Sequence, residues 1–204
     1  MIRKVLMILG VLLISSTYVF AMPDRVRKTD VGFQIGGLVP GDNHLDSGAY
    51  YEGSVAYGLS DWFALGLETS YEDSGTHFII GITDHNAKLS RVPLFADLIF
   101  RHPMDDLNTV PYAVLGLGML FTDVHGAGTL TAANLKLQAN DSFAMKFGLG
   151  ADWFINEHWM FNVEGSYVWA SADAKIINLS DGTTVDSANM DYWMVGAGLK
   201  YLFD

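Results

Sequence analysis

The residues of this chain that could do chemistry are of three kinds: six histidines, three Gly-x-Gly triplets, and isolated charges standing among apolar neighbours. The histidines offer no paired motif. His44, His77, His85 and His125 fall in segments that read as loops, and none forms a His-x-x-x-His or His-Glu-x-x-His pair that would put two imidazoles on one helix face. They read as solvated side chains, and no metal site is expected. The triplets Gly116-Leu117-Gly118, Gly148-Leu149-Gly150 and Gly196-Ala197-Gly198 are each half of a dinucleotide fingerprint, but Phe121, Trp153 and Tyr201 stand where the third glycine belongs. No cofactor is expected. The isolated charges Glu68, Asp97, Arg101, Lys146, Asp152, Glu164 and Lys200 are the stronger feature, because ionised groups taken out of water must find partners.

Composition narrows the function classes before any of these is placed. The 204 residues hold 12 Lys and Arg against 23 Asp and Glu, a formal charge of -11. Nucleic acid is excluded as a partner, since a polyanion is bound by clustered cations that release its counterions. The absence of cysteine excludes disulfides, thiolate metal sites and thiol nucleophiles. With 50% hydrophobic residues, 21 glycines and only 17% charged residues, the chain must be deeply buried or in contact with lipid.

Residues 1–21 combine Arg3 and Lys4, an apolar run from Val5 to Ile14, and the small residue Ala21 before the break. That is the order of a cleaved export signal, and the apolar run is shorter than the roughly 20 residues of a spanning helix. Its removal leaves a mature chain of about -13. No later stretch is apolar enough to span as a helix, so a closed barrel is the form in which lipid could surround this chain.

The mature sequence has a period of two. Phe143, Met145, Phe147, Leu149, Ala151 and Trp153 alternate with Ser142, Ala144, Lys146, Gly148, Gly150 and Asp152, a pattern with faces as a strand and none as a helix. The same reading predicts eight strands, near 30–39, 49–59, 62–72, 90–101, 110–122, 142–155, 159–170 and 190–203. Short breaks alternate with long ones at about 40–48, 73–89, 123–141 and 171–189. The expected architecture is an all-β, eight-stranded antiparallel transmembrane barrel over 30–204, preceded by a short periplasmic segment at 22–29.

Charge tests the faces. The apolar registers carry no Asp, Glu, Lys or Arg, while Arg91, Asp97 and Arg101 share the opposite face of one strand, and Lys146 and Asp152 that of another. An Arg or Lys facing lipid at midplane costs about 2–4 kcal/mol, so the separation is physically expected. Trp159 and Trp169, Phe143 and Trp153, and Trp193 and Phe203 are each ten positions apart on one register. Ten tilted residues advance roughly 25 Å, the height of the outer-membrane apolar band, so aromatic rings fall at both interfaces. Period-two glycines are then expected to admit large side chains from across the lumen. The seven charges should converge there as an ion-pair plug, which disfavours an open aqueous pore. Loop carboxylates such as Asp42, Asp46 and Asp84 read as solvated.

The segments VPYAVLGLGMLF (110–121), ANDSFAMKFGLGADWFINEHWMFNVEGSYVWASADAKI (139–176) and DYWMVGAGLKYLFD (191–204) resemble, in order and spacing, strands of the OmpW family of small outer-membrane barrels. The chain departs from the family's usual aromatic end in closing on Asp204. The resemblance implies an outer-membrane location, assembly by the outer-membrane machinery, surrounding lipid and lipopolysaccharide, and a narrow apolar outer lumen that binds or admits small hydrophobic molecules. With termini on the periplasmic side, Leu38, Pro93, Phe95, Leu120, Tyr192 and Met194 point inward in the outer half, and Asp97, Arg101, Asp152 and Lys200 lower down. No reaction is expected. A structural or adhesive barrel acting through its loops, a rim enzyme acting on lipid and a soluble periplasmic barrel remain as alternatives, and the oligomeric state is open.

Overall fold

The computed structural model describes residues 24–42, 45–80, 83–104, 108–125, 135–171, 173–180 and 182–203. The expected export signal lies outside them, as do His44 and the side chains of His77, His85 and His125. Alternating burial along the strands follows the period of two, with apolar residues outward and charged, polar and small residues inward, joined there by large apolar side chains such as Leu38, Met160 and Tyr192.

Eleven strands occur among the described residues: β1 (Thr29–Pro40), β2 (Gly48–Gly58), β3 (Phe63–Ile80), β4 (Thr83–Arg101), β5 (Thr109–His125), β6 (Leu135–Gln138), β7 (Ser142–Phe154), β8 (Trp159–Ala170), β9 (Asp173–Asn178), β10 (Thr184–Asn189) and β11 (Tyr192–Phe203). Eight of them close an antiparallel barrel in the order β1-β11-β8-β7-β5-β4-β3-β2. Its seam joins β1 to β11, from Thr29 opposite Phe203 to Pro40 opposite Tyr192. Closure removes every sheet edge, which is what allows strands to sit in hydrocarbon.

The outer skin is apolar. Phe33, Leu67, Leu149 (71% exposed), Val195 and Leu199 all project from it. Aromatic rings cluster at both ends: Trp159, Tyr201 and Phe203 are in contact at 5.0 and 4.7 Å on the short-turn end, and Tyr167 and Trp193 at 4.9 Å toward the other. The short turns are fixed by side-chain caps. Ser60 Oγ accepts from the Phe63 N–H at 3.1 Å, and Asn156 Oδ1 accepts from the Trp159 N–H at 2.8 Å.

The long connections differ from expectation. Residues 73–89, read as a loop, mostly continue β3 and β4 as a hairpin extending past the band, paired from Asp73 opposite Ser90 to Ile80 opposite Thr83. Beyond the bilayer no lipid face imposes alternation, so a polar strand there resembles a loop. The breaks at 123–141 and 171–189 hold β6, β9 and β10, which form a separate three-stranded sheet in the order β10-β9-β6.

Inside, the glycines make room for large side chains, but these come from adjoining strands and not from across the lumen. A Cβ on Gly36 or Gly196 would collide with the Tyr50 ring, and one on Gly150 with Tyr112. Tyr50 and Tyr112 thereby lie flat over the adjoining strands, each opposite a glycine of its ladder partner, Tyr50 Oη accepting from Gln34 Nε2 at 2.7 Å.

Candidate functional site

The inward charges assemble into three groups along the axis. At the base, Asp30 Oδ2 accepts from Arg25 NH2 and Arg101 NH2, both at 2.8 Å. Asp152 accepts from Arg25 NH1 at 2.9 Å, and its other oxygen lies 3.0 Å from Lys200 Nζ. Asn162 Nδ2 donates to Asp152 Oδ1 and to Tyr112 Oη, each at 2.8 Å. The Tyr112 hydroxyl in turn donates to Glu164 Oε2 at 2.8 Å and links the base to the second group.

That second group is centred on Lys146, which is 1% exposed. Its ammonium bonds Glu68 and lies 3.4 Å from Glu164 and 3.8 Å from Asp97. Glu52 is buried nearby, lining with these carboxylates a cavity of about 30 Å³, room for a single water.

The third group lies higher and is set in apolar surroundings. Arg91 Nε is 3.2 Å from Glu72 Oε2, both side chains having no exposed surface. The Arg91 guanidinium sits 4.0 Å from the centroid of the Tyr192 ring. Glu72 Oε1 accepts from the Tyr192 hydroxyl at 2.8 Å and from Ser70 Oγ at 3.1 Å.

All seven charges expected to form the plug face inward, but they divide. Glu68, Asp97, Lys146 and Glu164 meet in the middle group, and Arg101, Asp152 and Lys200 meet at the base. Sequence reasoning left out Arg25, which lies before β1 where strand parity does not apply. Its backbone is held against β2 because Arg27 N–H donates to Gly58 O at 2.8 Å and Gly58 N–H to Lys28 O at 3.0 Å. Arg91 was read as facing inward but not as part of the plug, and Glu72 was left out, although it shares the parity of Glu68 on β3.

Of the apolar set, Leu38, Phe95, Leu120, Tyr192 and Met194 join one buried cluster with Tyr50 and Val168, and Pro93 is buried on the same inward register of β4 as Phe95. The outer lumen is therefore apolar but not purely so, since the third charged group touches it through Tyr192.

The β3–β4 ladder, which pairs Thr69 with Leu94, skips two steps and resumes in unchanged register with Glu72 opposite Arg91. The missing steps face Pro93 and Val92. Proline has no N–H to give the ladder, and the Pro93 carbonyl is taken by Thr69 Oγ1 at 2.9 Å.

A closed eight-stranded barrel with an apolar outside, ionised groups turned inward, short turns at one end and longer connections at the other is a transmembrane barrel of the outer-membrane class. The chain belongs to the family described as outer membrane protein beta-barrel domain, which residues 7–203 match, and its place is the Gram-negative outer membrane. No curated protein matches it by sequence. Among solved structures it is similar to OprG of Pseudomonas aeruginosa, at 20% identity and a TM-score of 0.72, covering 89% of this chain and 98% of that one. It is similar to AlkL in lipid bilayers, at 15% identity and a TM-score of 0.59 over 91% and 94% of the two chains. E. coli outer membrane protein W gives 17% identity and a TM-score of 0.50 over 88% and 99%. The OmpW-like resemblance of the sequence thus agrees with the fold.

Proposed function

We propose that the barrel admits small hydrophobic molecules from outside, holds them against Leu38, Phe95, Leu120, Tyr192 and Met194, and releases them sideways into the membrane. The observation that carries this reading is the interruption of the β3–β4 ladder at Pro93, beside that cluster. An apolar solute loses water on entering among these side chains, and a few polar groups suffice to orient it. Continuing down the axis would bring it against Lys146 and its carboxylates, where apolar atoms gain nothing and the charges would lose their partners. The wall at Pro93 is the easier exit. In this reading no covalent step occurs, residues 1–21 are removed on export, and lipid, lipopolysaccharide and the assembly machinery are the surroundings of the mature protein.

Replacing Leu120 and Met194 together with Asp tests the proposal. Hydrophobic probe binding to the refolded protein is expected to be lost while heat-modifiable migration on a detergent gel shows an intact barrel. Unchanged binding would sink the assignment.

The sheet β10-β9-β6 favours a second reading, in which the outer end contacts a surface and the lumen is inert. Excision of 173–189 that abolishes cell attachment without altering solute binding would support it.

A further inference from the structure

Arg91 is fully buried, yet among the described residues its NH1 and NH2 groups find no hydrogen-bond partner. Its Nε lies 3.2 Å from Glu72 Oε2, an ion-pair distance without hydrogen-bond geometry, and its face is against Tyr192, so the two terminal nitrogens are left as a fork without partners among the described residues. Three hydroxyls near it in the ladder are equally unmatched: Ser74, Thr122 and Ser142 Oγ atoms are buried without a partner among the described residues. They are neighbours by register. Thr122 lies opposite Arg91, Ser74 opposite Leu89, and Ser142 opposite Leu120, on the adjoining strands β3, β4, β5 and β7. Buried donors in native proteins are rarely left unmatched, and a guanidinium end presents two parallel N–H bonds with the spacing of a carboxylate's two oxygens.

We propose that this arc receives the carboxylate head of an amphiphilic ligand, whose apolar chain lies along Leu120 and Met194. The inference rests on the hydrophobic-molecule reading and adds to it the class of ligand, a monocarboxylate with an apolar chain. Glu72 pairs its charge with Arg91 at Nε and not at the fork: its Oε1 accepts from Tyr192 and Ser70, and its Oε2 lies 3.2 Å from Nε without a hydrogen bond among the described residues.

The test uses the full barrel refolded in lipid nanodiscs, with carboxyl-labelled decanoate and with decane, the latter read from the Met194 methyl signal. Wild type is expected to give a saturable bound carboxyl resonance, and Arg91→Gln to weaken decanoate at least tenfold while decane binds both proteins alike. Because Arg91→Gln leaves Glu72 alone in an apolar site, the double variant Glu72→Gln with Arg91→Gln is measured beside it, with the same expectation. Equal decanoate affinity in wild type and a folded variant overturns the head-group site. So does wild-type binding of decane without decanoate; both leave the hydrophobic-molecule reading standing. A Met194 signal unmoved by either ligand removes both readings.

Discussion

Arg25 and Asp152, 127 positions apart, are joined at 2.9 Å across the base of the barrel, with both side chains almost wholly out of solvent. Arg25 also holds Asp30, so one residue outside the strands ties β1 to β7. Arg25→Ala strips a partner from each carboxylate and is expected to destabilise the barrel by about 3 kcal/mol. Denaturant unfolding in lipid vesicles measures this; a change below about 1 kcal/mol would mean that Arg101 and Lys200 suffice.

Lys146 balances several carboxylates at once, so its energetic link to any one of them is not a simple pair. Lys146→Met is expected to cost more than Glu68→Gln, since it leaves Glu68, Asp97 and Glu164 facing one another. The double variant should be less harmful than the two single effects added, by about 1–3 kcal/mol. Strict additivity in the cycle would show that the two groups do not interact.

Pro93→Ala returns an N–H to β4 opposite Ser70 and lets the interrupted ladder complete. Delivery of a hydrophobic solute into the surrounding bilayer is expected to fall several-fold, while unfolding stability is unchanged or higher by about 1 kcal/mol for the regained bond. Stopped-flow transfer of a membrane-quenched fluorescent solute separates the two. Undiminished transfer would place the exit elsewhere.

Leu149 stands at the most exposed point of the lipid face. Leu149→Arg is expected to destabilise by about 2–4 kcal/mol. Arginine at Lys146, three positions earlier on β7 and therefore facing the axis, should behave as a lumen change. Spin labels at Leu149 and Leu199 should be relaxed by oxygen dissolved in lipid and shielded from aqueous quenchers.

The barrel was legible in the sequence wherever lipid imposes its own pattern. Phe143 to Trp153 alternates because one side of β7 meets hydrocarbon and the other meets charge. Past the membrane that demand lapses, so Asp73 to Ile80 and Thr83 to Leu89 look like loop although they pair as strands. Parity likewise gave the direction of Lys146, Asp97 and Glu164 but not how they group, which depends on stagger between strands. Arg25 was hidden because its position depends on a chain reversal held by Gly58, a contact that no local pattern announces. The outer cluster was read as apolar from Leu38, Leu120 and Met194; that Glu72 and Arg91 insert beside Tyr192 needed the β3–β4 register.

The pairing of Thr29 with Phe203 makes the opening and closing strands of the sequence neighbours. No subset of the strands can therefore complete the cylinder, since loss of β11 strands a row of amide and carbonyl groups on β1 and on β8 with no water to receive them. The polypeptide must be kept insertion-competent until synthesis has passed β11, and the act that seals it is the one of greatest sequence separation, which ties maturation in the membrane to arrival of an intact carboxyl-terminal strand.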